Sequence, residues 1–554
     1  MKHTDWYKDA IIYQIYPRSF FDTNGDGYGD INGIIAKLDY LKELGINCIW
    51  LSPIYDSPQE DNGYDISNYK DIYPPFGRME DAKRMIEEMH KRDIRVIMDL
   101  VVNHTSSEHP WFKSAISDKN SPYRDYYIIK KGKRNGRKPP TNWSGFFSGS
   151  TWEKIGDSDE YYLHLFAKGQ PDLNWENPKV REEVKSILRY WLDLGVDGFR
   201  CDVINLISKR QEYKSNLPKI ALTGKKNFIN GPRLHEYLKE LYEDVFINYD
   251  CMTVGETVMT NMDDVINLTK KDNHELDMVF NFECIDADSL MGVKYFPRKF
   301  TLKRWKKINE KWQLGLFNKS WNTLFIENHD QRRSVGRFNT DENEYRNESA
   351  KSLALTYFMM QGTPFIYQGQ EIGMANPHFK DISQFKDVEI HNIYQLREKM
   401  KFLKLIIPEE RIFEYSRDNA RTPMLWDDSE LGGFSKTSSW IEVNKDKRYN
   451  VASALKDKNS IYYFYQSLIE IRKQYPVFKN GKFSLLNKKD KEVFVYKRED
   501  EKEEIVVISS FSKEKLTRKY INDYSNYELL LSNHLDNDKE ILQPYECRLY
   551  YKKK

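Results

Sequence analysis

The chain has 554 residues, and 86 Lys and Arg stand against 84 Asp and Glu, for a net charge of +2. That balance excludes a protein held mainly by nucleic-acid phosphates, which needs a clear basic excess. No apolar run reaches the roughly 18–20 residues of a membrane span, and the opening Met1 to Trp6 lacks the apolar stretch of a secretory signal. Five scattered cysteines, Cys48, Cys201, Cys251, Cys284 and Cys547, have no metal-ligand spacing and fit a reducing cytoplasm.

Short apolar runs alternate with helical patterns along most of the chain. Ile11 to Ile15 predicts a first strand. Ile34, Leu38 and Leu41 then recur at helical spacing, and Cys48 to Leu51 is a second buried run. Ala82, Met85, Ile86 and Met89 mark one helix face, and Ile94 to Val102 is the next strand. From about Thr105 to Trp175 the chain is rich in Tyr, Trp, Gly and Lys without helical period, so residues 105–175 are expected to form an inserted, loop-rich subdomain. Its basic stretch, Lys130 to Lys138, reads as a solvated loop.

Asn177-Pro178 predicts a helix cap and first turn, followed by the stripe Val180, Val184, Ile187, Leu188, Trp191, Leu192. Gly195 ends that helix and feeds Val196 to Cys201. Further runs are Met252 to Val254, Met278 to Phe282, Thr323 to Ile326 and Pro364 to Tyr367. Eight β-then-α units predict a (β/α)8 TIM barrel of α/β class, built from residues 1–104 and 176–478. Beyond about Lys479 short alternating runs predict a C-terminal antiparallel β domain, a sandwich over 479–554.

Catalytic groups of such a barrel sit where the strands end. The third strand runs into Asn103-His104, the fourth into Arg200-Cys201-Asp202, the fifth into Gly255-Glu256, and the seventh into Asn328-His329-Asp330. Any one acid after a strand could be a helix cap; four such ends together point at one pocket. Retaining glycoside hydrolysis needs a carboxylate nucleophile and a carboxylic acid about 5 Å apart. Arg200 shares a strand face with Asp202 and can keep it ionised. Glu256 has no cation adjacent in sequence, which suits the raised pKa of a general acid.

These strings resemble the signature regions of the α-amylase superfamily of retaining glycoside hydrolases. Gln170-Pro171-Asp172-Leu173-Asn174-Trp175, Asp61-Asn62-Gly63-Tyr64-Asp65 and Arg417 to Pro423 are similar to its oligo-1,6-glucosidase branch, and the likeness runs from Tyr13 to Glu546. The resemblance implies Asp202 as nucleophile, Glu256 as acid/base and Asp330 as transition-state stabiliser. It further implies that Asp61, Tyr64, His104, Arg200, His329 and Arg417 hold the terminal glucose, with Phe147 and Phe166 as apolar walls. Cleavage at the non-reducing end follows, with the inserted subdomain closing the pocket behind one sugar.

Asp22 to Asp30 repeats oxygen-bearing residues around glycines like half an EF-hand loop, but position twelve is Gly33 and the bidentate acid is missing. By resemblance, Asp22, Asn24, Asp26, Asp30 and the Tyr28 carbonyl bind one structural Ca2+ or Mg2+, with no organic cofactor. The expected substrate is isomaltose and short α-1,6-linked oligosaccharides. Trehalose 6-phosphate, α-1,4 glucosides and sucrose are the alternatives. Val203 resembles the α-1,6-active members, though phosphotrehalases look similar there too; Gln170-Pro171 and the metal loop resemble oligo-1,6-glucosidases, while Asn376 to Ser383 resembles phosphotrehalases. Thr257, Val258, Glu327, Arg332 and Gln370 depart from the branch pattern, and the altered neighbours of the acids are expected where the second sugar binds. A silent transporter subunit, the reading from another class, would lack the acid set and carry an anchor. The expected protein is a cytoplasmic monomer that meets small sugars, neither nucleic acid nor membrane.

Overall fold

A computed structural model describes residues 4–219, 222–290, 293–535 and 538–554. Eight parallel strands form its centre: β1 Ile12–Ile15, β2 Cys48–Leu51, β3 Arg95–Leu100, β4 Gly198–Cys201, β5 Met252–Glu256, β6 Met278–Phe280, β7 Thr323–Leu324 and β8 Thr363–Tyr367. They hydrogen-bond in the order β6-β5-β4-β3-β2-β1-β8-β7. Among the described residues no ladder joins β6 to β7. The Thr323 hydroxyl donates to the Val279 carbonyl at 3.0 Å and closes the ring there. All eight expected strands are present, and the fold is the α/β barrel read from the sequence.

The helices bury the faces their periodicity marks. Met79–His90 buries Ala82, Met85, Ile86 and Met89. Pro178–Asp193 is capped by the Asn177 side chain, which accepts from the Lys179 amide at 3.0 Å. At Gly195 φ is +101°, a left-handed turn that favours glycine and releases the chain into β4.

Register does the positioning. Arg200 of β4 pairs with Asp99 of β3 on one side and Val254 of β5 on the other. Asp202 and Glu256, each two residues further on, therefore rise to the same level on adjacent strands. Neighbouring strands lie about 4.8 Å apart, so the register sets the spacing of these two carboxylates.

Between β3 and β4 the chain forms the helix Pro110–Ser117 and a small antiparallel sheet of Ile129–Lys131, Glu160–Leu163 and Trp152–Lys154. The segment returns beside the barrel through a bridge between His104 and Asp172. Lys130, Lys131, Lys133, Arg134, Arg137 and Lys138 are exposed there. After β8, the helices Val388–Lys399, Lys401–Ile406 and Glu409–Glu414 pack around Phe385, Ile390, Leu403, Ile412 and Phe413, a core of their own. The chain then closes with a five-stranded antiparallel sheet, Lys482–Leu486, Val493–Glu499, Glu503–Ser510, Cys547–Lys553 and Glu528–Ser532 in spatial order. It docks on the barrel through Phe494 against Trp305 and a Tyr496 hydroxyl donating to the Thr356 carbonyl. Among the described residues no helix is long and apolar enough to cross a membrane.

Candidate active site

At the C-terminal end of the barrel one guanidinium serves three acids. Arg200 Nη1 donates to Asp99 Oδ1 and to Asp202 Oδ1, both at 2.5 Å, and Nη2 donates to Glu256 Oε2. The sequence suggests Arg200 as the partner of Asp202; in the structure it holds Glu256 as well. Its plane lies over Trp50 and Tyr64, and Trp50 Nε1 donates to Asp99 Oδ2 at 2.9 Å.

One positive charge cannot stabilise three carboxylates in so dry a place. Burial raises Glu256 to about 7; Arg200 opposes the rise, while Asp202 and Asp330 add to it. Burial also lifts Asp202 to about 6 against the pull of Arg200, and Asp99 to about 6 in the same way. The Asp202 charge is one of the causes that push Glu256 up, so the two acids do not titrate independently. The raised Glu256 expected from its apolar strand is present, with burial as its leading cause and despite a cation in contact.

Asp330 behaves oppositely. Burial works to raise it, but His329, Arg417 and Arg421 outweigh burial and hold it well below the usual carboxylate range. His329 Nε2 lies 3.0 Å from Asp330 Oδ2, Arg421 Nη2 donates at 2.6 Å and Arg417 Nη1 at 3.4 Å. Burial lowers His329 itself, so at neutral pH it meets Asp330 as an N–H donor, and the stabilising charge is that of the two arginines. Gln14 Nε2 donates to His329 Nδ1 at 2.7 Å, which leaves the Nε2 proton facing Asp330 and the Tyr64 hydroxyl. Tyr64 stacks on His329, with an interplanar angle of 6°.

The far wall is a second ionic cluster. Arg417 Nη2 donates to Asp61 Oδ1 at 2.9 Å, and its Nε and Nη2 fork onto Asp387. Gln170 Nε2 donates to Asp61 Oδ2 and to the Tyr64 carbonyl, each at 3.1 Å, tying the inserted segment to this wall. His104 Nε2 donates to the Tyr64 carbonyl at 2.9 Å, and burial keeps His104 neutral by lowering it. Phe147 lies under Arg417, and Phe166 packs against both Phe147 and the His104 ring. Both phenylalanines are half-buried, and Phe166 also packs against the core of the inserted segment.

Three residues of this site stand out less in the sequence. Asp387 caps the helix Val388–Lys399, accepting from the Glu389 amide, and reads there as an ordinary cap. Arg421 lies in the Arg417 to Pro423 string with no role assigned to it there, and Gln14 acts at a distance along the chain that no local pattern shows. Val203 follows Asp202 with a φ of +34°; such a conformation in a β-branched residue costs about 1–3 kcal/mol and marks a site that the surroundings over-determine. Its amide donates to Glu256 Oε2 at 3.4 Å.

From Glu256 a cleft of about 1000 Å3 runs outward between the inserted segment and the helices after β8. Thr257 and Val258, expected near the second sugar, line this cleft. Arg332, Glu327 and Gln370 correct that expectation. The Arg332 guanidinium is spent on Asp288, Glu414 and Tyr415; Glu327 is buried against Ser334, and Gln370 against Tyr357 and Tyr465.

The family model for the alpha-amylase catalytic domain matches residues 14–481. The chain belongs to the α-amylase family. It is a glycoside hydrolase of that family. Within the α-amylase family it is 51% identical to an oligo-1,6-glucosidase of Parageobacillus thermoglucosidasius, covering 98% of each chain. It is 47% identical to the trehalose-6-phosphate hydrolase of Bacillus subtilis strain 168, covering 99% of this chain and 98% of that one. The crystal structure of the Bacillus licheniformis trehalose-6-phosphate hydrolase superposes with a TM-score of 0.91 at 45% identity, over 99% of this chain and 100% of that one.

The loop after β1 has an oxygen-rich interior. Asp22 accepts from the amides of Asn24, Gly25 and Gly27 and from the Ser435 hydroxyl; Asn24 Oδ1 accepts from the Asp26 amide, and Asp26 Oδ1 from the Tyr28 amide. Asp30 caps the helix Ile31–Ala36. Among the described residues no three His, Cys, Asp or Glu side chains form a metal-type cluster. A mixed set of carboxylate, amide and carbonyl oxygens with spare lone pairs is nonetheless what a hard cation takes.

Proposed function

We propose that the protein is a retaining, exo-acting α-glucosidase that cleaves the non-reducing-end α-1,6 bond of isomaltose and short isomalto-oligosaccharides. The observation that carries the mechanism is the level pair on β4 and β5, with Arg200 bridging them and Glu256 at about 7 above Asp202 at about 6. Strand spacing belongs to the short carboxylate separation of retaining enzymes. Asp202 attacks the anomeric carbon while Glu256 protonates the departing oxygen. Water, deprotonated by Glu256, then releases glucose. Asp330, held anionic by two arginines, supports positive charge developing on the sugar ring.

The exo mode rests on the Asp61–Arg417–Gln170 wall, whose hydrogen bonds tie the inserted segment to the residues behind the acids. The choice of linkage rests on the 51% identical oligo-1,6-glucosidase and on the likeness of Gln170-Pro171 and the Asp22 to Asp30 loop to that branch. The competing substrate, trehalose 6-phosphate, is favoured by the two trehalose-6-phosphate hydrolases named above. Initial rates on isomaltose, maltose, sucrose and trehalose 6-phosphate decide between them. Isomaltose is expected to be cleaved fastest, and activity confined to trehalose 6-phosphate would replace the substrate while keeping the mechanism.

The proposal includes one structural Ca2+ or Mg2+ held by Asp22, Asn24, Asp26, Asp30 and the Tyr28 carbonyl, stiffening the loop after β1. Chelation is expected to lower the thermal midpoint by about 3–10 °C, the size of a bound ion's linkage, with activity retained at 25 °C. An unchanged midpoint in EDTA, together with no ion by elemental analysis, would remove the metal from the scheme. Five free thiols suit a cytoplasmic setting, and a monomer is the proposed working form.

A further inference from the structure

Four carboxylates line the cleft beyond the acids: Glu256, Glu283, Asp286 and Glu389. Three have cationic partners. Glu256 meets Arg200; Glu283 accepts from Lys311 at 2.6 Å and Trp312 at 2.8 Å; Glu389 accepts from Lys294 at 2.5 Å and from the Tyr295 hydroxyl at 3.2 Å. Among the described residues the half-buried carboxylate of Asp286 has no hydrogen bond or ion pair.

The backbone carrying it is nevertheless clamped from both sides. Asp286 sits on the short 3-10 helix Ile285–Asp288. Arg337 Nη2 donates to the Ile285 carbonyl at 2.5 Å, and Arg304 Nη1 donates to the Ala287 carbonyl. Arg337 and Arg332 together grip the Asp288 carboxylate. The chain neighbours Ile285, Ala287 and Asp288 are thus held, and Asp286 lines the same cleft as the acid Glu256. Its oxygens are open to the cleft rather than sealed in the core, and a carboxylate accepts two sugar hydroxyls well.

We propose that Asp286 receives hydroxyl groups of the leaving sugar, and that its charge selects a neutral leaving group over a phosphorylated one. The inference rests on the α-glucosidase function proposed above and names its leaving-group class. Burial lifts Asp286 to about 6, against Arg337, so it is largely anionic at neutral pH and repels a phosphate brought beside it. Lys294, also on the cleft, is already neutralised by Glu389.

The test compares wild type with Asp286→Asn on isomaltose, trehalose 6-phosphate and p-nitrophenyl α-glucoside, whose leaving group carries no sugar hydroxyls. The variant is expected to lose about 10–100-fold in kcat/KM on isomaltose, as for a lost charged hydrogen bond. It is expected to lose less than about threefold on the nitrophenyl glucoside, and to raise the ratio of trehalose 6-phosphate to isomaltose cleavage at least about tenfold. Should the Asn variant fail to fold, as judged by its thermal midpoint, Asp286→Ser is read the same way. A wild type that prefers isomaltose, with a variant whose rates fall equally on isomaltose and the nitrophenyl glucoside or do not fall at all, overturns the role of Asp286 alone. A wild type that cleaves trehalose 6-phosphate faster than isomaltose overturns the proposed function, and this selection with it.

Discussion

Asp202→Asn is expected to lower kcat on isomaltose by about 10^4-fold or more, the scale seen when a covalent nucleophile is removed. The amide cannot form the glycosyl ester, and no neighbouring carboxylate can take over. Asp99 points into Trp50 and Arg200, and Asp330 is tied to His329, Arg417 and Arg421. The fold is expected to survive. Breaking a buried pair costs most when it strands a charge, about 3–5 kcal/mol, but Arg200 keeps two carboxylates, Asp99 and Glu256, in contact. A thermal scan alongside the kinetics therefore separates lost chemistry from lost structure. A folded variant that keeps more than about a hundredth of wild-type activity would show that Asp202 is not the nucleophile.

The same cluster shows what local sequence can and cannot carry. The eight strands were legible because each is a short apolar run closed by a polar turn, and a buried parallel strand needs little else. Asp202 and Glu256 were legible because each follows such a run directly, after Cys201 and Gly255. The sharing of Arg200 was not. It depends on the pairing of Arg200 with Val254, which is set by the whole barrel rather than by either strand. Asp387 shows a different limit. A residue that caps a helix gives the capping signal whether or not it also binds Arg417. The departures at Glu327, Arg332 and Gln370 were visible as residues, but packing turns each away from the cleft, and side-chain direction is not written in a motif. For Val203 the residue type even misleads, since a β-branched side chain argues against the left-handed backbone it adopts.

Glu256 allows a test by both pH and rescue. Hydrolysis needs Glu256 protonated and Asp202 ionised. With Asp202 near 6, activity falls as pH drops through that value and the nucleophile gains a proton. With Glu256 near 7, it falls as pH rises through that value and the acid is lost. The kcat/KM profile on isomaltose is therefore expected to be a narrow bell, highest between about 6 and 7. Glu256→Ala should lower kcat on isomaltose by about 10^2–10^4-fold and flatten the basic limb, because the group that titrates there is gone. On p-nitrophenyl α-glucoside the departing phenolate needs no proton, so the glycosyl ester on Asp202 still forms, and it accumulates because no base activates water. Azide, already an anion, should then attack the ester from the vacated side, restoring turnover and giving the α-glucosyl azide with configuration retained. Recovery of the β-azide would place the vacancy on the opposite face of the sugar and exchange the roles of Asp202 and Glu256. A basic limb that persists in the variant would assign it to another group, and Asp99, raised to about 6 on the same guanidinium, would be the first to test.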